Sequence, residues 1–135
     1  MMVQIYTDGG SRGNPGHGAS AFIARAGDPL KVIARRSRYI GRCTNNQAEY
    51  NALILALEWA GSREVEGVRM HSDSELMVRQ VQGIYKVRSE KIKPLHRKVM
   101  ALLKDKKWSI VHQKRDHEWI SGCDSMVNKV LDERI

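Results

Sequence analysis

Four carboxylates, Asp8, Glu49, Asp73 and Asp124, fall where the sequence places junctions between strands, helices and loops. Each has an ordinary structural explanation. Asp8 would serve as a turn residue, Asp73 as an N-cap, Asp124 as the acid of a capping box, and Glu49 as a charge favoured near a helix N-terminus. Jointly they point to chemistry, because strand ends and helix starts at one sheet edge gather side chains remote in sequence. Carboxylates gathered so closely repel one another unless a cation lies between them. Oxygen ligands favour Mg2+ or Mn2+ over zinc. Two such ions, about 4 Å apart, activate water and stabilise the leaving oxygen of a phosphodiester.

The charge balance supplies the other half of that chemistry. The chain carries a formal charge of +8, and a pI near 9.8 suits a polyanionic partner, nucleic acid before an acidic membrane surface. Between Lys86 and Lys107 nine Lys or Arg face only Glu90 and Asp105, so this segment holds +7 of the total. The excess reads as one patch. Acids to hold metal beside cations to hold phosphate are the composition of a nuclease.

The 135 residues fit one domain spanning the whole chain, with a hydrophobic fraction of 41% ordinary for a globular fold. No run approaches the roughly 20 apolar residues of a membrane span, and the N-terminus shows no leader pattern. A cytoplasmic monomer is expected, with Cys43 and Cys123 as free thiols.

Several elements must position the acids. Val3 to Thr7 reads as a strand stopped at Asp8, Gly9 and Gly10, followed by a turn-rich loop to Gly18. Ala19 to Ala26 and Leu30 to Ile40 complete an antiparallel meander. Thr44 to Gln47 fits a capping box opening a helix to about Ala60, whose alanines would lie against a sheet. Val65 to His71 predicts a strand, Ser74 to Gln82 a short helix ended by Gly83, Pro94 to Lys104 another helix, and Trp108 to His112 the last strand. Ser121 and Asp124 read as the start of the final helix. The order predicts an α/β layer arrangement.

The motifs TDGGSRGNPG (7–16), TNNQAEYNALILALE (44–58), SDSELMVRQVQG (72–83) and CDSMVNKVLD (123–132) resemble those of the type 1 ribonuclease H family, in the family's order. The resemblance implies a mixed five-stranded sheet with helices on both faces, and Asp8, Glu49, Asp73 and Asp124 as the metal-binding quartet. It further implies endonucleolytic cleavage of the RNA strand of RNA/DNA hybrids with two Mg2+ or Mn2+ ions, leaving 5′-phosphate and 3′-hydroxyl ends. Asn14, Asn45 and Asn46 match positions that contact the hybrid's minor groove, where the RNA strand displays its 2′-hydroxyls. Thr44 and Ser74 join them as candidate substrate contacts, and Thr44 and Asn46 would help bind a phosphate.

Two departures from the family pattern bear on function. Gly83 to Trp108 is short where many relatives carry a longer basic protrusion, which leaves Lys86, Lys91 and Lys93 as the candidate phosphate ligands. The segment KRDHEWISG before Asp124 lacks the usual His and Asn spacing, so His117 is a candidate for proton transfer or product release beside the plainer reading of a solvated loop histidine. A module that binds hybrids or double-stranded RNA without cutting is one alternative. A DNA-acting nuclease of related fold is another. Four acids favour the enzyme, and the asparagine-rich motifs favour RNA.

Overall fold

In the computed structural model, which describes residues 1–134, three antiparallel strands lead: β1 (Met2–Gly13), β2 (Gly16–Ala26) and β3 (Lys31–Cys43). Helix α1 (Asn45–Gly61) crosses to β4 (Gly67–Ser72); α2 (Glu75–Val81) and α3 (Lys93–Leu103) lead to β5 (Lys107–His112), and α4 (Glu118–Arg134) follows. The five-stranded sheet has the order β3-β2-β1-β4-β5, with β4 parallel to both β1 and β5. The expected mixed sheet with helices on both faces is present.

Alternation along β1 divides the core. Val3 and Ile5 point to the α1 side, packing with Phe22, Leu53, Leu57, Val68, Met70 and Val99. Tyr6 points to the other face, where Ile23, Ile120, Cys123, Val127 and Leu131 enclose it beneath α4. Helix α1 is buried on nearly every side because the sheet lies below it and α3 beside it. Its alanines at 48, 52, 56 and 60 are fully buried, which keeps the helix close to the strands. The capping box forms as read: Thr44 Oγ1 accepts from Gln47 N at 3.2 Å, and Gln47 Oε1 accepts from Thr44 N at 2.8 Å.

The structure corrects two expected boundaries. Strand β1 does not stop at Asp8 but continues to Gly13, paired with β2 through Gly13 opposite Gly16, so the glycine-rich stretch is mostly strand. Gly9 is there for closeness, not for a turn. A Cβ at Gly9 would fall on the Ala48 carbonyl and 2.6 Å from Glu49 N, so only glycine lets α1 approach this point. The last helix begins at Glu118, three residues ahead of Ser121, which places Asp124 in its second turn and removes the capping explanation for it. Among the described residues no helix is long and apolar enough to cross a membrane.

Candidate active site

Asp8 lies mid-strand on the Tyr6 face of β1, Glu49 in the second turn of α1, Asp73 just after β4, and Asp124 on α4. Parallel pairing of β1 with β4 brings Asp8 and Asp73 to one end of adjacent strands, while the close α1–β1 crossing lowers Glu49 between them. One oxygen from each of Asp8, Glu49 and Asp73 lies within 4.8 Å of the others. Asp124 completes the wall of the same cleft, with Gly10, Ser11, Asn45, Asn46, Ser74 and Arg115 around it. The four acids therefore meet, although two do so from element interiors and not from ends.

Neighbouring groups orient the carboxylates. Gly9 N donates to Glu49 Oε1 at 3.0 Å, and Ser72 Oγ donates to Oε2 at 3.4 Å, so both Glu49 oxygens have a partner. Asn128 Nδ2 donates to Asp124 Oδ2 at 3.3 Å, one helical turn along α4. Burial, then the charges of Asp73 and Asp124, push the Asp8 carboxyl up to about 7. Glu49 is raised by the same causes, burial first and the charges of Asp8 and Asp73 after it. A cluster that drives its own members toward protonation is a fitting ligand set for a hard divalent cation, which would relieve both burial and repulsion.

Beside the acids, Asn14, Thr44 and Asn45 knit the β1–β2 hairpin to the start of α1. Asn45 N donates to Asn14 Oδ1 at 3.0 Å, and Ser11 N donates to Asn45 Oδ1 at 2.9 Å. Asn14 Oδ1 and Asn45 Oδ1 thus spend an acceptor on structure, while Asn46 is exposed between the acidic cleft and a second hollow lined by Asn14, Thr44, Asn45, Ser89, Lys91 and Ile92. Ser74 lines the acidic cleft but its hydroxyl also caps α2 through Met77 N at 3.3 Å. Of the three lysines, Lys91 joins the amide hollow and Lys86 borders a groove with Leu76, Ile84 and Tyr85. Lys93 instead pairs with Glu90 at 2.6 Å.

His117 lies outside the acidic cleft. Its ring stacks on Tyr6 at 5.5 Å and on His71 at 6.4 Å, and its Nδ1 accepts from Trp119 N at 3.2 Å where α4 begins. The cation that does reach the acids is Arg115, two residues earlier, with Nε 3.8 Å from Asp73 Oδ2. Its signal in the sequence is weak, because the neighbouring histidine is the more familiar proton-transfer group. The charge run KRDH held the answer one turn of loop away.

A sequence model described as reverse transcriptase-like matches residues 6–121. Ribonuclease HI of Halobacterium salinarum is 36% identical over 132 residues, covering 97% of this chain and 65% of that relative. The crystal structure of the Halobacterium ribonuclease H1 superposes with a TM-score of 0.92 at 35% identity, covering 98% of this chain and 99% of that one. The chain belongs to the type 1 ribonuclease H family. Another family member, LC11 ribonuclease H1, solved in complex with an RNA/DNA hybrid, matches with a TM-score of 0.87 at 36% identity over 98% of both chains. A bifunctional protein of Mycobacterium tuberculosis is 32% identical over 98% of this chain, which spans only 36% of it. The chain thus covers less than two thirds of the full length of these curated relatives.

Proposed function

We infer that this chain is a metal-dependent endoribonuclease that hydrolyses the RNA strand of RNA/DNA hybrids, leaving 5′-phosphate and 3′-hydroxyl ends. The observation that carries the reading is the meeting of Asp8, Glu49 and Asp73 within 4.8 Å beside an exposed amide cluster, in a chain that shares 36% identity with a ribonuclease H solved on a hybrid. Asp8, Glu49, Asp73 and Asp124 would hold the Mg2+ or Mn2+. Two such ions, when bound, supply the activation of water and the stabilisation of the leaving oxygen in an in-line displacement.

The chain's own residues do the rest. Glu49, fixed at both oxygens, sets where the ligand atoms gather, and Asp124, tied to Asn128, closes the fourth side. Asn46, with Asn14 and Asn45, offers amides to the 2′-hydroxyls and base edges of a minor groove, which is what separates RNA from DNA. Thr44, Ser89 and Lys91 surround the adjacent hollow with donors suited to a phosphate. The exposed Arg115 guanidinium can leave Asp73 for a phosphate oxygen of the substrate.

Labelled RNA/DNA, RNA/RNA and DNA/DNA duplexes, each with Mg2+, Mn2+ or EDTA, test the reading directly. Cleavage of the RNA strand of the hybrid, dependent on the cation, is the expected result. Cutting of DNA/DNA at a comparable rate, or hydrolysis unaffected by EDTA, would overturn it. Arg115→Ala should slow hydrolysis by about ten- to a hundredfold, the worth of a hydrogen bond to a charged group. His117→Ala should instead lower the melting temperature while leaving kcat within about threefold, since its ring packs on Tyr6 and caps α4 rather than facing the acids. A reversed ranking of the two rates would return His117 to the site.

A further inference from the structure

The segment from Lys86 to Lys107 is not the only basic surface. Strands β2 and β3 together contain Arg25, Lys31, Arg35, Arg36, Arg38 and Arg42 and not one acid. Their charge is hidden in the net total because the acids of the catalytic cleft and of the other helices offset it. Arg25 is committed elsewhere, lying over the Trp119 ring at 4.4 Å. Arg35, Arg36, Arg38 and Arg42 are exposed along β3, and none of them has an ionic partner among the described residues. In the other basic segment Lys93 is paired with Glu90 and Lys98 with Glu58, while its remaining seven Lys and Arg, like the β3 arginines, have no ionic partner among the described residues.

Two features of this strand point outward. It is the edge of the sheet, so among the described residues no further strand pairs with its outer side. It also ends at the candidate site: Cys43 pairs with Gly16 and Arg42 with His17, immediately before Thr44, which lines the amide hollow with Asn14. Going back from Arg42, the strand carries the guanidinium groups away from that hollow at about 3.3 Å per residue, so Arg35 lies roughly 23 Å along it. Edge strands often carry charge to discourage pairing between sheets, a task lysine performs well. Arginine adds a planar fork that matches phosphate oxygens bidentately.

We propose that Arg36 and Arg38, on the α1 face of the exposed β3 edge, and Arg35, on its α4 face, line that free edge as a second phosphate-binding strip that engages duplex nucleic acid outside the catalytic cleft. The identity of the duplex rests on the reading of the chain as a hybrid nuclease; the strip itself rests on charge and exposure. Its contribution is to affinity for long duplexes and not to the chemical step.

The test compares wild type with the triple variant Arg35→Ala, Arg36→Ala, Arg38→Ala on fluorescently labelled RNA/DNA hybrids of about 6 base pairs, closed by a hairpin loop and at about 20 Å too short to reach Arg35, and of about 36 base pairs, over a series of salt concentrations with Ca2+ in place of Mg2+. Three lost phosphate contacts should flatten the slope of log affinity against log salt by about 2 to 3 on the long hybrid. The slope on the short hybrid, and kcat for its cleavage with Mg2+, should stay as in wild type. The triple Lys variant at the same positions should keep most of the slope. An unchanged slope on the long hybrid overturns the proposal and makes the arginines a solvated edge. Equal loss on both lengths overturns it too, placing these residues inside the cleft. Absence of cleavage by wild type would refute the nuclease reading alone, because the salt slopes decide the strip without it.

Discussion

Asp73→Asn is expected to remove at least about a thousandfold of hybrid cleavage while leaving hybrid affinity within about threefold. Losing a carboxylate from a divalent-cation site weakens charge stabilisation worth several kcal/mol in the transition state. The amides and lysines that would hold the duplex lie on other elements and remain. The fold should also survive, since Asn is isosteric and the side chain's ionic partner is the exposed Arg115. Asp124→Asn, beside Asp8 but outside the group of three acids that lie within 4.8 Å, should lose less and be partly rescued by high Mn2+. Near wild-type turnover by Asp73→Asn would sink the metal reading.

The same substitution carries a second, opposite expectation for stability. Without cation, Asp8 titrates near 7 in the folded chain against an ordinary 3.8, with Asp73 the largest contributing charge after burial. A raised carboxyl pKa means that the folded state keeps a proton which the unfolded state has released. Its stabilisation is complete below about pH 4 and is lost as the pH rises through 7. Removing the Asp73 charge lowers the Asp8 pKa toward normal, so in EDTA at pH 8 Asp73→Asn should melt above wild type. The gap should narrow at pH 5, and Mg2+ should close it at pH 8 by stabilising wild type. Lower melting of the variant in EDTA at pH 8 would show that the acids do not strain one another.

The sequence revealed the acids and the order of elements because both depend on local signals: the capping box at Thr44 and Gln47, the alanine stripe of α1, the runs of β-branched residues. It misplaced Asp8 and Asp124 within their elements for a tertiary reason. Gly9 and Gly10 look like turn residues locally, yet Gly9 is held in β1 by pairing with Ser20 and by the approach of Ala48. Ser121 has cap chemistry, but the chain turns earlier because His117 stacks on Tyr6, a residue 111 positions away in sequence, and accepts from Trp119 N in the first turn of α4. Arg115 and the β3 arginines were legible as residues and not as surfaces. Only the loop geometry before α4 and the edge position of β3 give them a direction.

Gly9→Ala is expected to cost about 3 kcal/mol, the upper end of overpacking effects, because the added methyl meets main chain and not a side chain that can turn away. For a chain of this size that is a fall of roughly 10 °C in melting temperature. The point of contact is tightly specified: Ser20 Oγ donates to Ala48 O at 2.6 Å, and Gly9 N donates to Glu49 Oε1 at 3.0 Å. To admit a Cβ, the first turns of α1 must lift from the sheet, stretching both bonds and drawing Glu49 away from Asp8 and Asp73. Cleavage should therefore fall by at least about a hundredfold even well below the melting temperature, since displacements near 1 Å carry such losses. Gly10→Ala is the matched control. Its Cβ would meet nothing closer than 3.8 Å, so that variant should melt within about 2 °C of wild type. If Gly9→Ala behaved like Gly10→Ala in both melting and turnover, the close α1–β1 crossing would not be what sets the carboxylates. If it lost stability but kept full turnover in the folded state, Glu49 would be positioned by α1's own cap and by Ser72 rather than by the strand beneath it.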